Sequence, residues 1–184
     1  MKNPAQDALL GIDLGTGGCK ITLLDACGRI LAGGFEEYPT AHPRPGWAEQ
    51  DPADWRAAVA GILQGLRARG AWDSVRIRAL AVTGSTHNAV LLDARLEPVR
   101  PVIMWTDQRS GAECADLERL AGDSIFEATH HRPAPTWTLP QLLWLKRHEP
   151  EVLGRAAHLV FVKDYIRLLL TGELGTDHID AQGS

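Results

Sequence analysis

The stretch "LLGIDLGTGGCKITLLD", residues 9–25, sets two apolar runs on either side of a glycine turn. Residues 8 to 13 read as a strand ending in Asp13. Residues 19 to 25 read as a second strand, with Ile21 and Leu23 on one face. A plain hairpin needs one or two residues that tolerate positive φ. Here Gly15, Thr16, Gly17, Gly18 and Lys20 crowd one turn directly after a carboxylate, with more glycine than turning requires. Such a turn exposes consecutive backbone N–H groups, and a concavity of that kind binds anions. Without a Cβ the backbone lets phosphate oxygens come close. Thr16 adds a hydroxyl donor and Lys20 a point charge. Asp13 is placed to hold a magnesium ion through water, as hard oxygen ligands do. A glycine-rich hairpin with a buried or capping aspartate has the same pattern. Walker and dinucleotide loops are excluded, because both run from a strand into a helix and "CKITLLD" is a strand.

Outward from the hairpin, "DACGR" is a second turn, and residues 30 to 38 give a third strand, completing an antiparallel meander. The proline-rich "PTAHPRPGWAEQDP" (39–52) reads as a loop without regular structure. Asp51 is then a good N-cap with Pro52 at the first helical position. Trp55, Val59, Ile62, Leu63 and Leu66 recur at helical spacing until Gly70, so an amphipathic helix is expected over the sheet. "IRALAVTGS" (77–85) reads as a short buried strand, and "NAVLLD" and "VIMW" as two more. Helical periodicity covers 107–121 and 139–148. "HLVFV" is a last strand, and "KDYIRLLLTG" a helix closed by glycine. The order predicts an α/β domain with a mixed β-sheet flanked by helices.

The 184 residues suit one domain with a sizeable core. A net charge of −4 with no basic cluster argues against nucleic acid as a partner. Cys19, Cys27 and Cys114 form neither a disulfide framework nor a zinc pattern, so a reducing, cytoplasmic setting is expected. The broken apolar run of "MKNPAQDALLG" is unlike a signal peptide. No uninterrupted apolar segment reaches the ~20 residues of a membrane helix. The tail "GTDHIDAQGS" reads as cut rather than tapering into polar residues.

"DLGTGGCK" resembles the first phosphate loop of the actin-like ATPase and sugar kinase superfamily. More of the chain is similar to one branch, the FGGY carbohydrate kinases, and within it to the xylulose kinases. "RPGWAEQDPADWRAA" resembles the W-x-E-Q-D-P-x-x-W segment. "AVTGSTHNAVLLDARLEPVRPVIMWTDQRS" resembles the substrate-side strands and W-N-D-x-R turn. "LPQLLWLKRHEPE" and "VKDYIRLLLTGELGTDHIDAQGS" resemble the first signature and the P-K-D-Y-x-x-x-x-x-T-G-E segment. The resemblance implies a ribonuclease-H-like (actin-like ATPase) fold. It also implies that residues 1–184 form an N-terminal kinase domain carrying the first phosphate loop and most sugar contacts, partnered by a C-terminal ATP-binding domain. ATP and Mg²⁺ are the cofactors it implies. A small-molecule sugar, most naturally D-xylulose, is the substrate, and family members are often dimers.

Residue by residue, the resemblance makes Asp13 the acidic residue needed for activity, acting through magnesium. Gly15, Thr16, Gly17 and Gly18 would face the ATP phosphates, with Lys20 behind them. Thr86 and His87 fall where xylulose kinases have the Met-His pair that contacts sugar, so Thr86 departs from the pattern. His87 could bond a sugar hydroxyl or, as a turn histidine, the backbone. Trp105 and Asp107 fall on the sugar side; Asp107 could equally cap the helix that follows. Trp137 could reach the same place, ranked behind Trp105. Trp47, Trp55 and Trp144 read as packing residues. Adjacent His130 and His131 point different ways and make no ligand pair, and Gln141 stands where the family has lysine. The family's catalytic aspartate belongs to a segment beyond residue 184, so the chain alone is expected to be inactive. A non-catalytic sugar-binding module and an actin-like ATPase of chaperone type are the other readings.

Overall fold

The structure is a computed structural model that describes residues 5–182, so the first four residues of "MKNPAQDALLG" and the last two of "GTDHIDAQGS" lie outside it. The chain divides into two compact units. One takes the residues up to 39 with 53–85, and the other takes 40–52 with the residues from 86 onward.

The first unit is built on the expected meander: β1 (Gln6–Leu14), β2 (Gly18–Asp25) and β3 (Ile30–Glu37), each antiparallel to the next. Two-residue alternation puts Ala8, Leu10, Ile12 and Leu14 of β1 on one face, opposite Leu23, Ile21 and Cys19 of β2, all buried. After β4 (Glu49–Gln50), which belongs to the second unit, comes α1 (Pro52–Ala68). It starts at the proline that the sequence marked and ends two residues before Gly70, whose φ of 72° only glycine adopts cheaply. Its buried face is Trp55, Ala58, Val59, Ile62 and Leu66. Gly34 of β3 lies opposite buried Ile21, and a Cβ there would stand 2.5 Å from an Ile62 methyl. Helix and sheet touch so closely that this crossing needs glycine.

β5 (Val75–Gly84) then pairs with β1 in parallel, Leu80 opposite Leu10 and Thr83 opposite Asp13. The sheet is mixed, in the order β3-β2-β1-β5. Against expectation, β5 is neither short nor buried. It runs ten residues, and Ile77 and Leu80 stay 40% and 41% exposed. β5 is the end strand, and among the described residues only β1 pairs with it; its consecutive exposed residues show that neither face is covered.

In the second unit the later strands do not extend that sheet. β6 (Ala89–Leu92) pairs with β8 (His158–Phe161), and β4 with β7 (Val102–Ile103), in two antiparallel ribbons. The loop 39–52, expected to lack regular structure, thus contributes the two-residue β4. Five helices complete the unit: α2 (Gly111–Thr129), α3 (Thr138–His148), α4 (Pro150–Arg155), α5 (Val162–Thr171) and α6 (His178–Gln182). The sequence reading did not separate α4 or α6. Leu91, Ile103, Trp144 and Leu145 are buried together, with Trp47, Leu142, Leu153 and Leu159 packed against them. At α5 the Asp164 carboxylate accepts the Phe161 N–H at 3.2 Å. Lys163 reaches Asp164, Asp177 and Asp180 at 2.9, 3.0 and 2.8 Å, which fastens α6 to α5. Burial alone would lower its pKa, but the three carboxylates outweigh it and hold the ammonium above the usual lysine range. Among the described residues no helix is long and apolar enough to cross a membrane.

Candidate functional site

The glycine turn occupies residues 15–17, between the end of β1 and the start of β2. The Gly15 N–H donates to the Gly18 carbonyl at 3.0 Å, closing the turn. Its three glycines are there for different reasons. None has positive φ, so left-handed backbone explains none of them. Gly18 is a packing residue: a Cβ would lie 2.7 Å from both the Glu36 carbonyl oxygen and the Phe35 ring. Gly15 has only ordinary contact, 3.5 Å to the Gly18 carbonyl. Gly17 is exposed, and a Cβ would meet nothing within 4 Å. Neither backbone geometry nor packing accounts for Gly17, so the space over the turn is what its missing side chain keeps clear.

Tyr38, which the sequence reading passed over, holds the turn from behind. Its buried hydroxyl donates to the Gly15 carbonyl at 2.5 Å. Burial, and then the nearby Asp13 charge, push its pKa up, so it remains a neutral donor. The register could have revealed it. Gly18 pairs with Glu37, so the next residue along β3 reaches the turn. Cys19 is likewise kept a neutral thiol, its pKa pushed up to about 12 by burial first and then by Asp13 and Glu36.

Asp13 and Lys20 are cross-strand partners, both exposed, on the sheet face opposite the buried one. With Gly11, Thr22, Ala81 and Thr83 they line an open trough of about 300 Å³. Its lining combines small residues with a carboxylate, an ammonium and two hydroxyls. Among the described residues no cluster of three His, Cys, Asp or Glu could hold a metal by itself. A single exposed carboxylate still fits magnesium, which takes one or two carboxylates and completes its shell with water and phosphate oxygens.

The second unit brings together the other predicted residues, with unequal exposure. Thr86 is exposed. His87 is half-buried at a φ of 61°, rare for a residue with a Cβ, and its ring stacks on Trp137, centroids 5.0 Å apart and planes 19° apart. Trp105 is 42% exposed, and its backbone N–H donates to Asn88 Oδ1 at 2.7 Å. Asn88, fully buried one residue after His87, therefore positions the tryptophan. A polar residue directly before an apolar strand run was the signal for it.

Asp107 faces inward, 1% exposed. Its carboxylate accepts the Ala48 N–H at 2.6 Å, the Arg109 N–H at 2.7 Å and the Arg109 guanidinium at 2.8 to 3.0 Å. It does not cap a helix; α2 starts later, after Ser110. The Asp107 side chain instead ties the turn 105–109 to the loop before α1. Arg109 continues the network to Glu49 at 2.7 Å, where Arg100 also binds, and lies over Trp47, 3.7 Å from the ring centroid. Trp47 meets Trp144 edge-on. Packing roles for Trp47, Trp144 and the 1%-exposed Trp55 agree with their burial. Gln141, buried in α3, places its amide 3.4 Å from the Met104 carbonyl, so a neutral contact stands where the family has lysine. His130 caps α2 and packs on Phe126, while His131 turns to Trp137, so the two histidines diverge as their adjacency predicted.

Residues 8–184 match the FGGY family of carbohydrate kinases, N-terminal domain. The xylulose kinase of Klebsiella pneumoniae is 40% identical over 176 residues, 95% of this chain and 36% of that protein. The chain thus spans just over a third of the length of the curated relatives it matches. Among solved structures, a xylulose kinase from Brucella ovis superposes with a TM-score of 0.90 at 37% identity, covering 96% of this chain and 36% of that one. A gluconate kinase from Lactobacillus acidophilus does so with 0.89 at 28% identity, covering 97% and 36%. Both the mixed sheet and the neighbours bear out the fold class expected from the resemblance, the actin-like ATPase fold of the sugar kinases. The chain belongs to the FGGY family of carbohydrate kinases, as the N-terminal domain of that family.

Proposed function

We propose that this chain is the sugar-side and first-phosphate-loop part of an ATP-dependent kinase that phosphorylates a ketose hydroxyl, with D-xylulose as first candidate and D-xylulose 5-phosphate as product. The observation that carries the reading is Gly17, an exposed glycine that neither φ nor packing requires, beside Asp13 and Lys20. The turn at Thr16–Gly18, with Lys20, would bind the nucleotide's phosphates. Asp13 would hold magnesium, which when bound neutralises charge on the phosphoryl group in transfer. His87 would exchange a hydrogen bond with a sugar hydroxyl, and Trp105 would lend an apolar face. Asp107 would keep the Trp105 turn in place rather than touch sugar.

On this reading a second domain supplies the adenosine site and the general base that takes the hydroxyl proton. The similarity to xylulose kinases supports the substrate. Thr86 in place of methionine, and the fold shared with a gluconate kinase, widen the set to be tested. An ADP-release assay with D-xylulose, D-ribulose, glycerol and gluconate should give turnover by the complete gene product and none by residues 1–184 alone. Asp13→Asn should abolish it, about 10³-fold or more, because phosphoryl transfer rests on charge stabilisation. Turnover by the 184 residues would refute the division of labour. Silence from the complete product with every acceptor would refute the kinase reading.

A further inference from the structure

The Trp137 ring contacts two histidines. His87 stacks on it at 5.0 Å and 19°, and His131 meets it at 4.8 Å and 57°. Trp137 is itself well fixed. It occupies the N-cap position of α3 in extended conformation, its N–H donates to the Ala134 carbonyl at 3.0 Å, and Thr138 and Pro140 after it are buried. His87, by contrast, stands on left-handed backbone, which costs a β-carbon-bearing residue energy unless neighbours hold it there. A flat stack covers one face of the imidazole and sets its plane, leaving only its edge, where the nitrogens are, to choose partners. From this stack we infer that Trp137 is a positioning residue for the sugar. It fixes the imidazole plane of His87 and so the direction in which His87 presents its hydrogen bond to a polyol hydroxyl. His131 also packs on the indole. The inference rests on the proposed sugar-binding role of His87 and names the residue that makes that role specific.

Calorimetry of D-xylulose binding to the complete gene product tests it through a double-mutant cycle. Trp137→Ala should weaken sugar binding on the order of tenfold. Trp137→Phe keeps a stacking face and should recover most of that loss. ATP affinity should not change. In a His87→Ala background Trp137→Ala should have no further effect, because it acts through His87. Additive losses would overturn the proposal, and so would an undiminished affinity in Trp137→Ala. If His87→Ala leaves sugar affinity intact, the sugar-binding reading of His87 itself fails and takes this inference with it. Imidazole ¹⁵N–¹H spectra of the 184-residue chain provide a readout independent of any sugar. The His87 ring signals should shift strongly in Trp137→Ala and little in His131→Ala; unmoved signals in Trp137→Ala overturn the positioning claim.

Discussion

The turns at 15–17 and 105–109 both looked, in sequence, like polar residues gathered for a ligand, and in the structure they are opposites. The first has small residues, an exposed tip and a hydroxyl holding it from behind. The second closes on itself: the side chains of Asp107 and Arg109 are both about 1% exposed, and their bonds run to Ala48, Glu49 and each other. A site that receives an anion must not fill the space in front of its donors. A scaffold must do the reverse, because a buried charge without a partner is costly. Trp105, with Thr106 and Gln108, is exposed at the second turn, so there the buried polar pair holds a turn that presents an apolar ring.

Breaking the scaffold should have the largest effect. Asp107→Ala leaves the Ala48 N–H without its acceptor and the Arg109 guanidinium with Glu49 as its remaining carboxylate, and a broken buried pair costs about 3–5 kcal/mol. Urea unfolding followed by tryptophan fluorescence should show that loss. A change below about 1 kcal/mol would mean that the carboxylate is not structural, and would return it to the sugar. In the first turn Gly18→Ala should be next, at about 1–3 kcal/mol, since its Cβ would press on the Glu36 carbonyl and the Phe35 ring. The same denaturation curve reads it.

Where local chemistry decides, the sequence was legible. Alternating apolar residues and two turns gave β1, β2 and β3, and Pro52 with Gly70 bounded α1 to within two residues. The boundaries that failed depend on distant partners. Residues 49 and 50 become β4 only because β7, more than fifty residues later, pairs with them. β5 looked buried because its side chains are apolar, but burial needs an element packed on a sheet face, and both faces of β5 are exposed. Asp107 shows the same limit in the site. Spacing places a carboxylate after a tryptophan, and nothing in that spacing says that Ala48 and Arg109 will consume it. Tyr38 and Asn88 were missed for a related reason: each acts on a residue of another segment, Tyr38 on Gly15 and Asn88 on Trp105.

Gly17→Ala is the mildest change to the fold and the sharpest test of what the turn is for. The new methyl meets no atom within 4 Å, and its backbone is outside the left-handed region. Removing glycine's freedom from the unfolded chain should therefore leave stability level or raise it by about 0.4–1 kcal/mol. A methyl there would nonetheless stand where phosphate oxygens must approach, so the complete gene product should lose ATP affinity while its sugar affinity holds. If Gly17→Ala unfolds the chain, the glycine serves the fold after all. If it changes neither stability nor nucleotide binding, the space above the turn is empty by accident, and the contrast with Gly18 loses its functional meaning.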